Sequence, residues 1–117
     1  MGRRRAEARR EKLAGKGSGR PVASLDDPVE ALIARSRRAR SKGEGRRALV
    51  LLRQACALDE WRARSWTLLG VLLAREGAGD EAARALNQAR WLRARAGDAP
   101  RAVATARLAA RLLAAAA

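Results

Sequence analysis

Apolar and small residues recur along this chain with helical spacing, and one such spacing occurs twice. In the second half, Trp66, Leu69, Gly70, Leu73, Gly77, Ala82, Leu86 and Ala89 fall at intervals that place them on facing sides of successive helices. Shifted back by 34 residues stand Leu32, Arg35, Ser36, Ala39, Gly43, Ala48, Leu52 and Ala55, and six of these eight pairs keep their small or apolar character. A period of this length marks an array of helical hairpins, in which each unit buries its apolar face against the next.

The residues between these positions punctuate the pattern. Asp27-Pro28-Val29-Glu30 predicts a helix start: Asp27 caps, Pro28 suits the first turn, and Glu30 is spaced to reach back to the cap. The first helix is expected to run to about Lys42 and stop at Gly43, and a second to run from about Gly45 to Leu58. Asp59 and Glu60 are expected to open a third, ending near Glu76. Asp80 and Glu81 are expected to open a fourth, reaching about Ala96. Gly97-Asp98 closes that helix, and Asp98 with Pro100 begins a fifth. The expected fold is all-α, with about five helices. Residues 1–25 contain Leu13, Val22 and Leu25 as their only large apolar residues apart from the initial Met, carry a net charge of +6, and are interrupted by Gly15, Gly17, Gly19 and Pro21. They bury too little apolar surface to offset ordering, so they read as a disordered, flexible basic arm in front of a domain at 26–117.

The run Trp66-x2-Leu69-Gly70-x2-Leu73, followed by Ala82-x3-Leu86-x2-Ala89, resembles the tetratricopeptide repeat. The resemblance is best over residues 63–96. Over 29–62 it rests on Gly43, Ala48, Leu52 and Ala55, with Arg35 and Ser36 where the family has Leu and Gly. Residues 98–117 would be the capping helix. Leu73 and Leu86 replace the family's usual aromatics, and Glu60 and Ala94 stand where proline is frequent. The resemblance implies a concave groove lined by the first helix of each hairpin. Its positions here are Ile33, Arg37 and Arg40, then Arg64, Leu68, Val71 and Arg75, then Arg101, Thr105 and Leu108. Such a mixed apolar and cationic groove suits an acidic amphipathic helix or extended acidic peptide. Ile33 and Leu68 stand where a carboxylate clamp would need polar residues, so that use is not implied.

Composition narrows the chemistry. Twenty-nine alanines and only three aromatics, all Trp, leave Ala and Leu to build the core. There is no His, and the one cysteine, Cys56, reads as a small helix residue, so no metal site or cofactor is expected. The acid pairs Asp26/Asp27, Asp59/Glu60 and Asp80/Glu81 all fall at expected helix starts, where capping accounts for them. Gly15-x-Gly17-x-Gly19 has neither a strand before it nor the Lys-Ser/Thr of a phosphate loop after it. No catalytic constellation can be assembled, and no enzyme activity is expected. The opening Met-Gly-Arg-Arg-Arg leads into no apolar run and does not read as a secretory signal, and no segment is apolar enough to span a membrane. A cytoplasmic location is expected.

The formal charge is +14, with 26 cations against 12 acids. That balance attracts polyanions. Two stretches concentrate it: the arm, with Arg3, Arg4, Arg5, Arg9 and Arg10, and the cluster Arg35, Arg37, Arg38, Arg40, Lys42, Arg46 and Arg47, opposed only by Glu44. Trp66 is expected in the core, and Trp61 and Trp91 lie outside the cluster, so the cluster predicts phosphate contact without base stacking. The expected function is a tetratricopeptide-like adaptor for an acidic protein partner or within a larger assembly. The alternative is a sequence-nonspecific nucleic-acid-binding or ribosome-associated protein using the arm and residues 35–47. Self-association stays open.

Overall fold

The computed structural model describes residues 26–116. The expected arm at 1–25 lies outside them. Among the described residues there are five helices and no strand: α1 (Pro28–Ser41), α2 (Gly45–Leu58), α3 (Ala63–Arg75), α4 (Gly79–Arg95) and α5 (Ala99–Ala116). Each helix packs on its neighbour in sequence, α1 on α2, α2 on α3, α3 on α4 and α4 on α5, and α3 also touches α5.

The helix ends follow from local chemistry. Asp27 Oδ1 accepts the N–H groups of Val29 at 3.0 Å and Glu30 at 3.3 Å, with Pro28 in the first turn. Glu30 does not reach back to this cap as expected, because Arg64 and Arg62 hold its carboxylate. Both hairpins turn through the same motif. Gly43 and Gly77 adopt φ of 79° and 85°, a left-handed conformation that side-chain-bearing residues resist. The N–H of Glu44 then bonds to Ala39 O, and that of Ala78 to Leu73 O, each at 2.9 Å. Gly97, with Asp98 N–H on Arg93 O, repeats the motif between α4 and α5.

The third helix begins at Ala63, later than Asp59-Glu60 predicts. Asp59 Oδ1 accepts the Trp61 N–H at 3.1 Å, a side-chain turn that competes with helix initiation. The Trp66 indole N–H donates to Glu60 O at 2.9 Å and ties this connection to α3. Trp66 itself is only half-buried, packed on the edge of the core.

The interior is built of small and aliphatic residues, as the composition requires. Ala48, Ala55, Ala82 and Ala89 are fully enclosed, with Ile33, Leu73 and Leu86 the largest wholly buried aliphatics. Gly70 permits the closest approach. A Cβ there would lie 2.6 Å from Leu86 Cγ and 3.3 Å from Ala82 O, so only glycine lets α3 and α4 meet at this distance.

Candidate functional site

The starts of α1 and α3 are joined by ion pairs between residues one repeat apart. Arg64 donates to Glu30 through Nε at 3.0 Å and Nη2 at 3.1 Å, a bidentate pair. Arg62 reaches Asp27 at 2.8 Å, Asp59 at 3.3 Å and Glu30 at 3.5 Å. Burial works against the Asp27 carboxylate, yet Arg62 and the N–H groups of Glu30 and Val29 outweigh it and hold the carboxyl below its ordinary value. The Arg62 guanidinium is disfavoured by burial too, and Asp27, Asp59 and Glu30 more than compensate.

This geometry redraws the expected groove. Ile33 and Thr105 are not available to a partner: each is 1% exposed. Ile33 belongs to the core, and the Thr105 hydroxyl donates to Arg101 O at 2.7 Å while accepting from Arg93 Nη1 at 2.8 Å. Burial and the nearby Arg101 lower the Arg93 pKa, with Asp98 opposing. Arg64 and Arg101 are already occupied, by Glu30 and by Asp98 at 3.1 Å. Arg37, Arg40 and Arg75 remain exposed, and Leu68, Val71 and Leu108 are half-buried.

The arginine cluster is divided by helical phase. Ser36 and Ala39 are buried, and the cations fall on either side of them. Arg37 and Arg40 take the groove flank. Arg35, Arg38 and Lys42, spaced three and four apart, take the other. There they meet Arg47 of α2, and with Ala39 and Glu44 they line a recess of about 270 Å³. Arg46 stands exposed in the same first turn of α2. None of these cations forms an ion pair among the described residues. Arg3, Arg4, Arg5, Arg9 and Arg10 lie outside the described residues.

Sequence reasoning missed one grouping. Trp61 and Trp91 are 65% and 46% exposed and lie with ring centroids 6.1 Å apart. The Arg95 guanidinium sits 5.8 Å from one ring and 5.3 Å from the other. No local spacing joins residues 61 and 91; the packing of α4 beside the α2–α3 connection does. A second, wider recess of about 490 Å³ has Arg53, Cys56, Glu60, Trp66, Glu81 and Gln88 among its walls. Burial pushes the Cys56 thiol up to about 11, so it stays protonated and a poor nucleophile near neutrality.

No described helix is long and apolar enough to cross a membrane. No protein-family model matches the chain, and no curated protein matches it.

Proposed function

We propose that this chain is a non-enzymatic adaptor of tetratricopeptide type, working in the cytoplasm, that takes an acidic amphipathic segment of another protein along the face shared by α1 and α3. The bidentate Arg64–Glu30 pair carries this reading. It links residues 34 apart, one period of the repeat, and holds the starts of two first helices together. The rest of that face then offers half-buried Leu68 and Val71 among the exposed cations Arg37, Arg40 and Arg75. A helix with leucines on one side and glutamates beside them complements such a surface. Three acids at this face, Asp27, Glu30 and Asp59, are engaged with Arg62 and Arg64.

The test uses a synthetic Leu/Glu amphipathic peptide, labelled and followed by fluorescence anisotropy. The triple variant R37E/R40E/R75E is expected to abolish salt-sensitive binding while circular dichroism stays unchanged. Undiminished binding would move the site off this face.

A further inference from the structure

The two hairpins correspond residue for residue through their turns, and at the open edge of the first the correspondence breaks in one direction. Leu69 and Leu72 of α3 are buried, 4% exposed each, in the stack that also includes α2. Their counterparts 34 residues earlier are Arg35 and Arg38. Glu76 corresponds to Lys42, and Asp80 and Glu81 of α4 correspond to Arg46 and Arg47 of α2. Five positions that hold an apolar or acidic residue in the second hairpin hold a cation in the first.

The end of an array explains part of this. No described hairpin stacks on the outer side of α1, and terminal units need a polar outer face. That accounts for polarity and not for sign. Arg46 and Arg47 stand in the first turn of α2, where the helix dipole disfavours cations, and α2 has neither an acid in that turn nor a side-chain cap. Among the described acids, Glu44 stands in the recess wall and Glu76 packs against Gly45. Five cations face these two acids.

We propose that the recess formed by Arg35, Arg38, Lys42 and Arg47 binds the phosphates of a nucleic-acid backbone, without reading bases. Charge selects this occupant. The chain's own residues 1–25 carry net +6, and a second copy presenting α5 would bring Arg107 and Arg111. Both repel the recess, whereas a backbone with a charge on every nucleotide is attracted from any sequence. Base readout is absent for a geometric reason. The exposed indoles of Trp61 and Trp91 lie past the far end of α2, about 20 Å from its first turn at the rise of an α-helix.

The experiment measures anisotropy of two labelled DNA duplexes of about 20 base pairs and unrelated sequence, titrated with the full chain across a salt series. Both are expected to bind with equal affinity. R35E/R38E/R47E is expected to weaken binding at least about tenfold and to reduce the log–log salt slope by about 3. R37E/R40E/R75E changes the net charge equally but lies on the opposite flank and the groove, and is expected to cost less than about threefold. R35Q/R38Q/R47Q, which introduces no carboxylates, should fall between, and circular dichroism verifies that each variant is folded. Residues 1–25 are common to all variants and cancel. Equal losses from the two reversals would reduce the effect to overall charge and overturn the site. Failure of the parent chain to bind duplex at about 50 mM salt would overturn it as well. So would capture of inorganic polyphosphate with no capture of duplex. The peptide experiment on the groove fails or succeeds independently of these outcomes.

Discussion

The two hairpins share a backbone register and fill it differently. Their turns close on the same hydrogen bonds around Gly43 and Gly77. Between the helices, the second relies on Gly70, under which Leu86 is seated. The first has Ser36 at that position, buried, with its hydroxyl donating to Ile33 O at 2.8 Å. A further difference runs the other way. Ser65 is wholly buried with no partner for its hydroxyl among the described residues, where the first hairpin has Ala31. The hairpin frame thus depends on a few small residues at the turn and the helix contact. Positions facing outward are released to carry charge, and the first hairpin gathers its cations there at one edge, Arg35, Arg38, Lys42 and Arg47, where the second has Leu69, Leu72, Glu76 and Glu81.

The contrast breaks most sharply at Gly70. Gly70→Leu is expected to destabilise by about 3 kcal/mol, because even a Cβ collides with Leu86. In a domain of this size that lowers the thermal midpoint by about 10 °C or more. Ser36→Ala removes one hydrogen bond and should cost about 1 kcal/mol or less. Equal midpoints for the two variants would mean that the hairpins are held alike.

Asp27 comes next, since only the first hairpin begins on a carboxylate that both caps a helix and pairs with Arg62. Asp27→Ala is expected to cost about 1–2 kcal/mol in chemical denaturation. Asp27→Asn keeps the cap and isolates the ion pair. The folded-state pKa is depressed, so this contribution is present above the ordinary value of 3.8 and is lost as pH falls through the lowered one. The parent should therefore lose stability below about pH 4 more steeply than Asp27→Asn. Superimposable acid titrations would remove the pair from the account.

The smallest effect has the opposite sign. Ser65→Ala makes the second hairpin match Ala31 of the first and removes an unpaired buried hydroxyl. A gain of about 1 kcal/mol or less is expected in the melting curve. A loss would reveal a partner for that hydroxyl.

Much of the frame was legible in the chain. Asp27-Pro28, Gly43, Gly77 and Gly97-Asp98 mark helix ends by chemistry that acts within a few residues, and four of the five helices begin within about two residues of expectation. The start of α3 was not legible, because Asp59 could open a helix or close a turn on Trp61, and the choice fell to the turn. The groove was half legible. Phase places Arg37, Arg40, Val71 and Arg75 outward, but it cannot say that Arg64 meets Glu30 or that Thr105 is enclosed.

By itself, then, the sequence determined helicity, hinge positions and the repeat, since these depend on backbone conformation and on the spacing of small and apolar side chains. Only the tertiary structure decided which charges are neutralised and which stand together. Arg62 and Arg64 lose their freedom to acids 34 and 35 residues away. Arg35, Arg38 and Lys42 gather with Arg47 across a turn, and Trp61 of the α2–α3 connection meets Trp91 of α4. Charge and stacking act through space over a few ångströms, and that distance is set by how helices pack, not by how far apart residues stand along the chain.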